Sequence, residues 1–108
     1  MLVVLLDASK IKDDGSFHSA FAELIGFPAF YGGNMDAWID CMSHLTEEDP
    51  MSSLTVRAGE QLTIEVLEFE DFSRRKPSLS ETFLRCTAFV NQRYAARGEA
   101  TRVALVLL

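Results

Sequence analysis

Two aspartates, Asp36 and Asp40, stand four residues apart in the stretch FYGGNMDAWIDC (30–41), with no lysine or arginine near them in sequence. On a helix this spacing puts both carboxylates on one face, where like charges cost about 0.2–0.5 kcal/mol. Asp36 recovers part of that in the first turn, near the positive end of the helix dipole, while Asp40 lies beyond the benefit. The plainest use of such a pair is a solvated helix face. General acid–base catalysis wants two carboxylates in different environments inside a pocket, which neighbours on an open face do not offer. Two aspartates are also a weak metal signal. His18 and His44, each alone, read as surface histidines. No catalytic residue, metal or cofactor is assigned. A further use fits better, because an aspartate on a rigid helix can stand in for a phosphate. In a basic site it accepts charge-assisted hydrogen bonds of about 1.5–3 kcal/mol each, more than the helix loses.

The flanking sequence supplies elements that could hold such a face. LVVLL (2–6) is apolar throughout, as in a strand buried on both faces. After the polar turn ASKIKDDGS, Phe17, Ala20, Phe21, Leu24 and Ile25 recur at helical spacing, with Ser16 as the expected N-cap and Gly26 as the stop. FPAFYGG follows as a loop shaped by Pro28, Gly32 and Gly33. Asn34 caps a second helix with Met35, Trp38, Met42 and Leu45 on one stripe and Asp36, Asp40 and Ser43 opposite. In this register Trp38 points to the core and Ile39 takes the exposed flank. Residues 46–60 read as a loop, 62–69 as a strand, and FSRRKPS as a short helix or turn. Ser78 and Glu81 suggest a capping box for a long last helix carrying Leu79, Phe83, Cys86 and Val90 and ended by Gly98. VALVLL (103–108) is expected as a last buried strand. Strands separated by helices imply a parallel sheet, with the first and last strands well covered.

The chain has 108 residues and a net charge of −6, and we read it as one domain spanning 1–108. The charge is unevenly placed. From Asp13 to Val56 there are eight acids and no lysine or arginine, whereas from Arg57 onward eight basic residues face seven acidic ones. An acidic first half suits steering toward a basic partner and argues against direct binding of nucleic acid or an anionic membrane. Cys41 and Cys86 show no metal spacing and read as reduced thiols. With no basic-led apolar leader, the expected location is cytoplasmic.

The stretch FPAFYGGNMDAWIDCM resembles the signature of the barstar family of intracellular ribonuclease inhibitors. The pattern runs from Pro28 through the aromatics Phe30 and Tyr31, then Gly32, Asn34, Met35, Asp36, Ala37, Trp38 and Ile39, to Asp40 and Cys41, without a gap. The resemblance implies an α/β fold with a three-stranded parallel sheet packed with about four helices. It implies no enzymatic activity. The implied function is to block the active site of a basic ribonuclease with an acidic loop and helix, the free protein being a monomer. Asp40 takes the role of phosphate mimic and Asp36 that of a further acidic contact. Phe30 and Tyr31 lie at the mouth of the site, Gly32 and Gly33 allow close backbone approach, and Asn34, Ile39, Ser43 and Arg93 complete the surface. Several features depart from the family's best-known member, whose first aromatic is a tyrosine where this chain has Phe30. Trp38 precedes Ile39 where that member has leucine then an exposed tryptophan, Gly33 replaces an acid, and Arg93 takes the place of a glutamate in the last helix. The loop at 46–60 is also longer. The alternative reading is a barstar-like interaction module whose basic partner is not a ribonuclease. A small hydrolase using Asp36 or Asp40 is the remaining one.

Overall fold

The structure, a computed structural model, describes residues 2–46 and 52–108. Strand β1 (Leu2–Asp7) leads through a 3-10 turn (Ala8–Lys10) to helix α1 (Asp14–Phe21), which runs on as a π-helical turn (Ala22–Gly26). Helix α2 (Met35–Met42) follows the loop, then strand β2 (Gln61–Leu67), helices α3 (Phe69–Arg75) and α4 (Pro77–Ala96), and strand β3 (Arg102–Leu107). The sheet order is β1-β2-β3, both pairs parallel, with Val4 beside Ile64 and Ile64 beside Leu105. The expected three-stranded parallel sheet with four helices is therefore observed.

Coverage of the sheet differs from expectation. On one face Leu62, Ile64 and Val66 of the central strand are fully buried. On the other, Val3, Leu5 and Val106 are 49%, 52% and 39% exposed. The first and last strands are thus half-covered edge strands, not strands buried on both faces. Two successive crossovers of the same hand, each stepping one strand in the same direction, lay all their helices on one face. An apolar run cannot report this, since it reads the same whether one face is covered or two.

The helices meet the sheet through an aromatic cluster. The rings of Phe17 and Phe21 (α1), Trp38 (α2) and Phe83 (α4) all lie within 6.4 Å of one another, centroid to centroid. Trp38 is fully buried and Ile39 partly exposed, as the stripe on α2 requires. Pairs in such geometry add about 0.5–1.5 kcal/mol each beyond the area they bury. The cluster therefore fixes α2 against α1 and α4 and sets the direction in which its outer face points.

Local start signals were misplaced by a few residues. α1 is capped by Asp13, whose side chain accepts from Ser16 N (2.8 Å) while Ser16 Oγ accepts from Asp13 N (3.0 Å). Ser16 is thus the reciprocal partner and not the cap. α4 begins at Pro77, so Ser78 lies inside the helix and Glu81 pairs with Arg85 instead of closing a box. Gly26, at φ +74°, ends the first helical run; a side chain there would also collide with Ser53 at 2.5 Å. Of the expected loop 46–60, residues 47–51 lie outside the described residues. Beyond them Ser53 N and Leu54 N donate to Gly26 O and Ile25 O, and Val56 N to Leu45 O.

Candidate functional site

The loop 27–34 is held at both ends. Tyr31 N closes a turn on Pro28 O (2.9 Å), and the Phe27 and Tyr31 rings pack in a tilted arrangement at 4.6 Å. Gly33 sits at φ +67°, in the left-handed region that suits glycine, where the chain turns into α2. Asn34 then caps α2 by accepting from Ala37 N (2.9 Å). Phe30 stands at the tip, 76% exposed. Tyr31 does not stand free beside it, because it is half-buried and its hydroxyl bonds His18 Nδ1. His18 is therefore not the surface histidine expected. It is 6% exposed, and burial lowers its pKa below the usual value despite the nearby Asp14. Burial likewise raises the pKa of Tyr31, so its hydroxyl stays protonated and can donate to neutral His18.

The outer face of α2 carries Asp36, Ile39 and Asp40 to the surface. Asp40 stands between two grooves. A smaller one of about 150 Å³ is lined by Phe30, Tyr31, Gly32, Ala37, Asp40 and Cys41. A larger one of about 440 Å³ runs between α2 and α4 and is lined by Asp36, Ile39, Asp40, Arg85, Cys86, Phe89 and Arg93. The fold thus joins the aromatic loop, the acidic helix face and the last helix at one carboxylate. Burial raises the pKa of both Cys41 and Cys86, with Asp40 and Asp36 adding to it, so both remain neutral thiols at neutral pH.

Two further placements differ from the sequence reading. Ser43 is fully buried, its Oγ donating to Ile39 O, so it offers no side-chain atom to a partner. It follows the last residue of α2, where the chain turns inward and leaves the solvated stripe. Asp40, which has no cation near it in sequence, has one in space. Arg93 Nη1 lies 2.9 Å from Asp40 Oδ1, with the two side chains 39% and 61% exposed. Such a pair contributes about 0–1 kcal/mol. Among the described residues Asp36 forms no ion pair.

A network that the sequence reading missed anchors the far end of α2. Tyr94 OH donates to Met42 O (2.6 Å) and accepts from Leu45 N (3.1 Å). Arg97 donates to Ser43 O, lies over the Tyr94 ring at 4.8 Å and pairs with Glu99. Glu99 in turn accepts from Thr46 Oγ1 (2.7 Å), and that bond does most to hold its pKa below the usual carboxylate range. These contacts satisfy carbonyls that a helix end leaves unpaired and set a cation at its negative pole. The only trace in sequence is a tyrosine in the last turn of α4 and an arginine just past its end, separated from α2 by about fifty residues.

Comparison with family models matches residues 1–106 to the family described as Barstar (barnase inhibitor). The chain belongs to the barstar family. No curated protein matches it. In this member of the barstar family the last helix carries Arg93, and its guanidinium faces the acidic helix. Among the described residues no three His, Cys, Asp or Glu side chains converge as a metal site would require. Among them no helix is long and apolar enough to cross a membrane.

Proposed function

We propose that the protein inhibits a ribonuclease by seating the loop 27–34 and the outer face of α2 in its active site. Asp40 takes the position of a substrate phosphate, Asp36 adds a second acidic contact, and Phe30 packs at the mouth. The observation that carries this reading is the presentation of Asp40. It projects from a helix capped at one end by Asn34 and tied at the other by Tyr94 and Arg97, beside an exposed aromatic loop. A carboxylate so fixed loses little further freedom on binding, which favours affinity. Its bond to Arg93 is no obstacle. Breaking an exposed pair costs up to about 1 kcal/mol, whereas each charge-assisted bond to a basic site returns about 1.5–3 kcal/mol. Membership in a family described as barnase inhibitors supports the same reading.

The test is to titrate the protein into barnase and other small basic ribonucleases while following RNA cleavage. Stoichiometric inhibition of one of them is expected, lost in Asp40→Ala. Tight complex formation with no loss of cleavage would favour the other reading, a basic partner that is not a ribonuclease. No inhibition of any of them would count against the proposal.

A further inference from the structure

The groove between α2 and α4 has two rims of opposite charge. Asp36 and Asp40 form the α2 side, Arg85 and Arg93 the α4 side, and Ile39, Cys86 and Phe89 the apolar floor. Phe89 is a large apolar side chain 45% exposed at its surface. The two arginines are not equivalent. Arg85 is already paired with Glu81 of its own helix at 2.7 Å. Arg93 is committed to Asp40, and its guanidinium also lies 5.2 Å from the centre of the Phe89 ring.

The structure assigns Arg93 as a specificity residue: we infer that the partner's surface is itself two-signed, presenting a cation to Asp36 and Asp40 and a carboxylate to Arg93. This rests on the inhibitor reading and names the kind of ribonuclease it selects. When a partner cation takes Asp40, Arg93 loses its own counter-charge. The cation–π contact with Phe89 holds it on the α4 rim instead of releasing it to solvent. A cation covered in an interface without an opposite charge is costly, and facing another cation it is more so. A ribonuclease whose active-site rim is basic all round is therefore disfavoured. One with an acid set beside its phosphate-binding cations, spaced by an apolar side chain that rests on Ile39 and Phe89, fits both rims.

The experiment takes the ribonuclease that the wild-type protein inhibits and measures affinity for wild type, Arg93→Ala and Arg93→Glu, with melting temperatures confirming that each variant is folded. Arg93→Glu is expected to weaken binding by at least about tenfold, more than Arg93→Ala does. The carboxylates around the ribonuclease active site are then changed to lysine one at a time. One of these variants is expected to bind Arg93→Glu better than it binds wild type, the mark of a direct charge contact. If Arg93→Glu binds as well as wild type, or if no ribonuclease variant restores its binding, Arg93 acts only through Asp40 and the inference is overturned. Those outcomes leave inhibition and its loss in Asp40→Ala intact. A wild-type protein that inhibits no ribonuclease overturns the functional proposal and this inference together.

Discussion

On the inner face of α2, Trp38 and Met42 are fully buried and Cys41 is nearly so; on its outer face Asp36, Ile39 and Asp40 meet solvent. Trp38 packs against α1 and α4, and no partner could reach Trp38 or Met42. Asp36 and Asp40 add nothing to the core, and Ile39 only flanks it. Eight residues thus carry folding on one side and, in the proposed function, recognition on the other. The separation holds because the helix is fixed from elsewhere, by its Asn34 cap, the aromatic cluster and Tyr94, so the outer face is free to carry like charges.

The largest expected effect attacks the inner face. Trp38→Ala empties the centre of a four-ring cluster and should cost about 3–5 kcal/mol in chemical denaturation. A loss below about 1 kcal/mol would mean that the inner face is not what holds α2. The outer face is attacked by Asp40→Ala, which should cost roughly 2–5 kcal/mol in affinity for an inhibited ribonuclease, read by calorimetry or inhibition. Its stability should stay within about 1 kcal/mol of wild type. The loss of an exposed pair is offset by relief of repulsion from Asp36 and by alanine's helix propensity. A mutant that melts far below wild type would erase the distinction between the faces.

Tyr94→Phe sharpens the comparison from outside α2. It leaves Leu45 N and Met42 O without their buried partner and should destabilise by about 1–3 kcal/mol. If α2 is positioned by that hydroxyl, affinity should fall as well, though by less than in Asp40→Ala. Arg93→Ala should shift stability of the free protein by no more than about 1 kcal/mol, because its pair is exposed.

The smallest expected effect is a pH dependence. Burial holds the pKa of His18 below its unfolded value near 6.5, so the unfolded chain takes up the proton first. The stability of neutral His18 is complete above the unfolded pKa and lost as pH falls through the lower folded one. The melting temperature should therefore decline as pH falls below the unfolded value of about 6.5, and His18→Gln should flatten that decline. Asp7, Asp13 and Glu99, whose pKa values are lowered mainly by hydrogen bonds to Ser9, Ser16 and Thr46, lose their stabilisation only at more acid pH. An unchanged slope in His18→Gln would show that the His18–Tyr31 contact does not govern this range.

Much of the chain was legible before any coordinates. The stripe of Met35, Trp38, Met42 and Leu45 gave the register of α2, and the alternation of helical and apolar segments gave a parallel sheet. The spacing from Pro28 to Cys41 gave the family. Errors clustered where a neighbour in space decides. Ser43 shares the solvated stripe only if the helical period continues past Met42, where α2 ends. His18, a lone histidine in sequence, carries no sign there of the Tyr31 hydroxyl thirteen residues away that it meets in the fold.

By itself the sequence determined the periodic and covalently local features: which residues share a helix face, where glycines and asparagine turn the chain, and which motif the loop and helix spell. These follow from a fixed rise and rotation per residue, which distance along the chain reports directly. Only the tertiary structure decided that one sheet face stays open, that Tyr94 and Arg97 close the end of α2, and that Arg93 meets Asp40 across 53 residues of chain. Contacts of that separation depend on how two helices are docked by a shared core. A charge that looks unanswered in sequence acquired its counter-ion only when Trp38 and Phe83 brought α2 and α4 together.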